Sequence, residues 1–221
     1  MDHTGSGAYE VHIPPVGLAG SLIVPADARG LVLFAHGSGS SRHSPRNRLV
    51  ADALNRRGMA TLLFDLLTSG EDSDRRNVFD IELLARRLTE ATEWAFTRPG
   101  VAGMPVGLFG ASTGAAAALV AAATLGERIA AVVSRGGRPD LAGAALPRVN
   151  AATLLIVGGA DTVVLELNRL AFAQLGGPKG LEVVPGATHL FPEPGALEAV
   201  IELAGSWFER YLVPPRRQQT G

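Results

Sequence analysis

The stretch Gly110-Ala111-Ser112-Thr113-Gly114 decides the fold, because it separates an apolar strand pattern at residues 106–109 from a helix-forming run at residues 115–120. A strand that turns sharply into a helix at a serine holds the hydroxyl above the sheet, and small residues on both sides let the two backbones approach closely. The first N–H groups of the helix then point at the place where an oxyanion would form. This pattern predicts Ser112 as a nucleophile. The alternative is a glycine-rich helix entry that binds an anion or nothing.

Two later loops supply the partners that a serine nucleophile needs. Asp161 follows the buried-strand run at residues 154–157, and His189 follows the strand pattern at residues 181–184. The loops at the carboxyl ends of parallel strands share one face of the sheet, so we expect Ser112, Asp161 and His189 to converge there. We predict that His189 is the general base and that Asp161 orients its imidazole. Asp65 also ends a strand and competes for the role of the acid, but it precedes the nucleophile strand and breaks the expected order.

Apolar strand patterns alternate with amphipathic helical patterns along the chain, which predicts an α/β fold with a mostly parallel eight-stranded sheet and helices on both faces. The strands are predicted at residues 9–13 and 19–24 as an antiparallel pair, and then at residues 31–35, 60–66, 106–109, 130–134, 153–157 and 181–184. The helices are predicted at residues 45–57, 80–96, 113–125, 165–175 and 196–211, with a weak helix at residues 141–146. No repeat or interdomain linker is visible, so we expect one domain over residues 1–221, with a frayed tail from Pro214.

The composition narrows the function classes. The 221 residues are 47% hydrophobic with a formal net charge of −1, which suits one full-sized core and gives no electrostatic footprint for nucleic acid or an anionic membrane. The absence of cysteine removes disulfides, thiolate metal sites and thiol redox chemistry. The polar start at residues 1–7 lacks a secretory signal pattern, and no apolar stretch reaches the length of a membrane span. We therefore expect a cytoplasmic protein.

These motifs resemble the α/β-hydrolase superfamily and, within it, the small capless dienelactone-hydrolase-like group. The resemblance runs from the strand before His36-Gly37-Ser38-Gly39-Ser40 to the helix after His189. It implies an oxyanion hole formed by the backbone N–H groups of Thr113 and Ser38, the latter in the family's His-Gly-x turn. The chain departs from dienelactone hydrolases proper, which use a cysteine nucleophile. Some relatives are fused to a phosphoribosyltransferase domain, but nothing here resembles the acidic loop of that domain.

Several charged residues near the predicted site have two interpretations. Arg135 and Arg138 follow the strand at residues 130–134, where a guanidinium can hold a substrate carboxylate, as arginines do in dienelactone hydrolases. A salt link to Asp140 or a solvated loop is the favoured alternative. His36 is interpreted as a structural turn residue, His43 as solvated, and the run at residues 71–76 as a solvated loop rather than a metal site.

The sequence thus predicts a serine hydrolase of the carboxylesterase type that cleaves small esters through an acyl-enzyme on Ser112, without metal or cofactor. A thioesterase or acyltransferase, a dienelactone or lactone hydrolase, and a non-catalytic ligand-binding module on the same fold remain as alternatives. The partner is a small-molecule ester, and the oligomeric state is left open. The short segment between Ser134 and Thr153 leaves no room for a cap, so we expect short acyl chains.

Overall fold

The strand and helix patterns assemble into one mixed sheet, described by a computed structural model over residues 6–213. Within that range eight strands lie in the order β1-β2-β4-β3-β5-β6-β7-β8. β1 is antiparallel to β2 and β2 to β4, and all other neighbours are parallel. The strands are β1 Gly7–Ile13, β2 Leu18–Val24, β3 Leu31–Ala35, β4 Ala60–Phe64, β5 Val106–Ala111, β6 Ile129–Arg135, β7 Ala152–Gly158 and β8 Lys179–Val184. The predicted antiparallel opening pair and the mostly parallel sheet are confirmed.

Helices cover both faces of this sheet. They are α1 Pro45–Arg56, α2 Ser69–Asp72, α3 Ile81–Phe96, α4 Thr113–Leu125, α5 Thr162–Gln174 and α6 Ala196–Leu212. One buried cluster joins the sheet to α3 and α4 through residues such as Leu88 and Leu119. The second joins the other face to α1 and α6 through Leu54, Val200 and Phe208. Because the central strands are covered on both sides, β3, β4, β5 and β7 are buried along their whole length.

Several element boundaries differ from the sequence prediction, and three of these differences are at least two residues long and lie near the site. β4 ends at Phe64 rather than Leu66 because the Leu66 N–H donates to His36 Nε2 (3.1 Å) and leaves the strand ladder. α5 begins at Thr162 rather than Leu165, directly after Asp161. The weak helix predicted at residues 141–146 is a longer 3₁₀ segment, Pro139–Arg148, which is kinked at Gly143.

Two sequence predictions concern the ends of the chain. Residues 1–5 of the polar start at residues 1–7, and the whole predicted frayed tail from Pro214 to Gly221, lie outside the described residues. Among the helices of residues 6–213, none combines the length and the apolar character needed to cross a membrane.

Candidate active site

The turn at Ser112 joins β5 to α4 through a strained backbone. Ser112 has φ 51° and ψ −123°, a conformation that side-chain-bearing residues rarely adopt, and it is the residue just before α4. The flanking glycines permit this turn because a Cβ atom at Gly110 would lie 2.4 Å from Ala115 Cα, and one at Gly114 would lie 2.2 Å from the Ala35 carbonyl oxygen. The turn therefore presents a partly exposed serine hydroxyl at the carboxyl edge of the sheet.

Asp161 and His189 lie side by side at the same edge. Backbone hydrogen bonds join their loops: Gly159 N–H donates to the Val184 carbonyl (2.8 Å), and Ala160 N–H donates to the Ala187 carbonyl (2.9 Å). The result is a contact of 2.8 Å between Asp161 Oδ2 and His189 Nδ1. Although Asp161 is the residue before α5, its side chain does not cap that helix, and its carboxylate is left to orient the imidazole.

Gly136 connects the serine to this pair. The Ser112 N–H donates to the Arg135 carbonyl (3.4 Å), which places residue 136 next to the turn. A Cβ atom at Gly136 would lie 2.8 Å from the His189 carbonyl oxygen and 3.7 Å from His189 Nδ1. Ser112, Asp161 and His189 thus gather around one glycine. Among residues 6–213 no hydrogen bond joins Ser112 Oγ to His189 Nε2, a contact that often tightens only when substrate binds.

The two predicted oxyanion-hole residues contact each other beside the serine. A Cβ atom at Gly37 would lie 2.9 Å from Ser112 Cβ, so the loop after β3 runs directly along the turn. The Ser38 N–H donates to Thr113 Oγ1 (3.1 Å). Thr113 is the first residue of α4, where helix geometry leaves the backbone N–H without an intrahelical acceptor. The Ser38 N–H, one candidate oxyanion donor, is therefore already bonded to the side chain of Thr113. The backbone N–H of Thr113 is the other candidate donor.

His36 and Asp65 have structural contacts away from the imidazole of His189. His36 is buried, its Nε2 accepts from the Leu66 N–H (3.1 Å), and its Nδ1–H donates to the Gly37 carbonyl (3.0 Å). Burial lowers the pKa of His36 below its ordinary value, which favours the neutral ring that these contacts require. Asp65 accepts from the Arg42 backbone N–H (2.8 Å) and forms an ion pair with the Arg42 guanidinium. Asp65 is thereby engaged with the loop after β3.

The two arginines singled out in the sequence have different surroundings. Arg138 forms a two-pronged salt bridge with Asp140 (2.9 and 2.8 Å), which raises the pKa of Arg138. This is the favoured sequence interpretation. Arg135 forms neither the salt link to Asp140 nor part of a solvated loop, because it is only 7% exposed and has no ion-pair partner among the described residues. β6 is buried almost throughout and runs one residue beyond its predicted end, so a longer strand prediction would have placed Arg135 inside the protein.

The acidic run after β4 is more ordered than the sequence suggested. Thr68 and Glu71 form a reciprocal capping box around the short helix α2, and Glu71 also pairs with Arg87 (2.6 Å). Asp74 pairs with Arg76 (2.7 Å), which lowers the pKa of Asp74 to about 2. In residues 6–213 there is no group of three or more histidine, cysteine or carboxylate side chains placed to hold a metal ion.

One short segment and two cavities describe the space around the predicted site. The segment between β6 and β7, where a cap would be inserted, is the 3₁₀ run Pro139–Arg148, which packs against α4 and α5. A small recess lies beside Gly37 and Ser38 and is closed by apolar side chains that include Leu67, Val78 and Leu84. A larger cavity of about 350 Å³ lies elsewhere, between the first strands and α1, and none of the three predicted catalytic residues lines it.

Comparison with known proteins places this architecture in context. Residues 30–178 match a family model described as the alpha/beta hydrolase fold. A crystal structure of dienelactone hydrolase from Anabaena variabilis is 55% identical, with a TM-score of 0.91, over 95% of this chain and all of that one. Est1E from Butyrivibrio proteoclasticus shares the fold at 17% identity, with a TM-score of 0.77, over 93% of this chain and 98% of that one.

A curated relative from Mycobacterium tuberculosis is more similar in sequence but much longer. It is 63% identical over 201 residues and is provisionally named a phosphoribosyl transferase. The match takes in 91% of this chain but only 45% of the relative, so the chain spans about half the length of that protein.

Proposed function

Because this chain belongs to the α/β-hydrolase family and is dienelactone-hydrolase-like, we propose that it is a serine hydrolase that cleaves small carboxylic esters through an acyl-enzyme on Ser112. The observation that carries the proposal is the 2.8 Å contact between Asp161 Oδ2 and His189 Nδ1, held next to a serine with φ 51°. A carboxylate that fixes one ring nitrogen leaves the other free to act on a nucleophile, which is the arrangement that activates a serine.

The reaction follows from these positions. Ser112 Oγ attacks the ester carbonyl while His189 Nε2 accepts the hydroxyl proton, and Asp161 stabilises the imidazolium that forms. The tetrahedral intermediate collapses as the leaving alcohol takes the proton from His189. Water then attacks the acyl-enzyme, gives its proton to His189 and releases the carboxylic acid, and Ser112 Oγ recovers a proton from the imidazolium.

Backbone donors are proposed to stabilise the intermediate. The Thr113 N–H lies at the start of α4, and the Ser38 N–H follows Gly37, which runs along the turn at Ser112; these positions support the two groups as oxyanion donors. The Ser38 N–H would exchange Thr113 Oγ1 for the substrate oxygen, or share itself between them. The hydroxyl of Thr113 then acts as a positioning group for the loop after β3.

Cyclic esters are the second candidate substrates, because the 55% identical neighbour is a dienelactone hydrolase. The chemistry at Ser112 is the same, but the leaving alcohol stays attached to the acyl group. Phosphoribosyl transfer, suggested by the name of the longer relative, is assigned in this proposal to the part of that protein that this chain does not match.

Covalent labelling tests the proposal directly. A fluorophosphonate probe should label the wild-type protein and the Ser206→Ala variant, which changes an exposed serine on α6, but not Ser112→Ala. Esters, thioesters and lactones assayed side by side then identify the substrate class. A wild-type protein that binds such ligands without being labelled and without turnover would instead be a ligand-binding module.

A further inference from the structure

Arg135 is a buried cation without a compensating charge. Its Nε and Nη1 atoms are inaccessible to solvent and have no hydrogen-bond partner among the described residues. Arg87 is buried to a similar extent, at 6% exposed, but its guanidinium pairs with Glu71 (2.6 Å) and Glu90 (3.1 Å). An unpaired buried charge is costly, and proteins ordinarily supply a partner. The partner of Arg135 is therefore to be sought outside the described chain.

The alternation of β6 gives the direction of this side chain. Val133 belongs to the cluster that packs against α1 and α6, and Arg135, two residues later, faces the same side of the sheet. That side leads to the start of α1, where Arg46 occupies the first turn and also has a buried Nε without a partner. Burial and the neighbouring charge of Arg46 lower the pKa of Arg135 to about 10, and no carboxylate offsets them.

The backbone of Arg135 is next to the proposed nucleophile. The carbonyl of Arg135 accepts the Ser112 N–H (3.4 Å), so the strand that carries the guanidinium is hydrogen-bonded to the catalytic turn. Arg46 lies in the first turn of α1, so the positive dipole end of this 12-residue helix adds to the charge of Arg46.

We propose that Arg135 and Arg46 bind a phosphate dianion, and that the ester hydrolysed at Ser112 carries this phosphate group. The second half of this statement rests on the proposed function, whereas the first half does not. A carboxylate would neutralise only one of the two guanidinium groups, but a phosphate monoester carries nearly two negative charges and several acceptor oxygens. The site therefore favours a phosphate over a single carboxylate.

Binding is measured in the Ser112→Ala protein, so that the outcome is independent of hydrolysis. Inorganic phosphate at about ten times its Kd should raise the Tm by about 3–6 °C, and acetate or chloride at equal ionic strength should raise it much less. Arg135→Met and Arg46→Met, made in the same background, should each weaken phosphate binding more than tenfold in calorimetric titration. Arg48→Met, an exposed arginine on the same helix, should bind as its parent does.

A second measurement separates a binding site from a structural arginine. Without phosphate, Arg135→Met should have a higher Tm than its parent, because an unpaired buried charge has been removed. If that variant does not fold, Arg46→Met and Arg135→Lys still report on phosphate binding.

The outcomes are distinct. No phosphate-dependent Tm shift would overturn the site, and a malonate or acetate shift equal to that of phosphate would overturn the assignment to phosphate. Phosphate that binds through Arg135 without inhibiting hydrolysis of an uncharged ester would overturn the placement beside Ser112. A wild-type protein that the fluorophosphonate does not label would reject the proposed function and would leave the phosphate site intact.

Discussion

Asp161 and His189 are 28 positions apart in the sequence, yet Asp161 Oδ2 lies 2.8 Å from His189 Nδ1. The contact depends on two adjacent parallel strands, β7 and β8, whose following loops are joined by backbone hydrogen bonds. Asp161 is the more enclosed partner, with 17% of its side chain exposed against 38% for His189. The imidazole is therefore held from the protein side, and part of it is open to solvent.

Asp161→Asn should keep the fold and lose most of the esterase activity. The amide favours the wrong imidazole tautomer, and the corresponding change in a serine protease lowers kcat by about ten-thousand-fold. Steady-state kinetics with p-nitrophenyl acetate measures the loss. Asp65→Asn is the matched control, because Asp65 is engaged with Arg42, and it should retain most of the activity. Greater damage from Asp65→Asn would make Asp65 the catalytic acid.

Thr113→Val should lower kcat by about tenfold and change KM less than twofold. The substitution keeps the shape and the backbone N–H of Thr113 but removes the acceptor of the Ser38 N–H, so the loop loses its anchor. The loss should be smaller than the hundred- to thousand-fold cost typical of removing an oxyanion donor itself. Thr113→Ser keeps the hydroxyl and should restore kcat. A Thr113→Val enzyme as fast as the wild type, or faster, would deny the hydroxyl a positioning role.

Stability should fall as the pH drops below about 6.5, in part because of His36. Burial lowers the pKa of His36 in the folded protein, so the unfolded chain takes up a proton that the folded chain does not, and acid favours unfolding. The effect is absent well above pH 6.5 and grows as the pH falls toward the folded-state pKa. Melting curves between pH 7.5 and 5.5 measure it, in a range above the ordinary titration of Glu71 and Asp74.

A pair of variants isolates this contribution. His36→Gln can still accept the Leu66 N–H but does not titrate, so its Tm should change less over this pH range than that of the wild type. His43→Gln, at an exposed position of the same loop, should keep the wild-type dependence of Tm on pH. Identical slopes in all three proteins would remove His36 as a source of acid sensitivity.

Short acyl esters, from acetyl to butyryl, should be the best substrates. The recess beside Ser38 is small, and a longer chain gains about 0.8 kcal/mol per methylene only where a wall exists to bury it against. Val78→Ala should lengthen the recess and raise kcat/KM for longer esters by up to about fourfold per added methylene. Val16→Ala, on a distant exposed turn, serves as the control. A p-nitrophenyl ester series tests both, and a wild-type maximum at ten or more carbons would contradict the prediction.

The sequence was sufficient for the parts of the site that depend on backbone order. The turn at Ser112 and the loops of Asp161 and His189 each follow a parallel strand, and parallel strands must place such loops at one edge. What the sequence missed depends on side-chain packing between distant segments. The hydrogen bond from Ser38 to Thr113 spans 75 positions, and the isolation of Arg135 becomes visible only when every neighbouring charge is known.

The acidic run at residues 71–76 was also not fully predictable, although the residues that order it are close in the sequence. Thr68 followed by Glu71 is a capping-box pattern, but the helix it begins is only four residues long and lacks the apolar periodicity that would have revealed it. The salt bridge from Glu71 to Arg87 holds this segment against α3, and that contact had no local signal.

The glycines around Ser112 also divide the site into fixed and variable parts for laboratory evolution. At Gly110 and Gly114 an added methyl would meet main-chain atoms at 2.4 and 2.2 Å, which no rotamer change can relieve. Libraries that randomise these positions should return almost exclusively glycine. The recess, by contrast, is bordered by side chains such as Leu67 and Val78, which can be exchanged without moving the backbone of the turn. Substrate range can therefore be diversified independently of the chemistry, within the same scaffold.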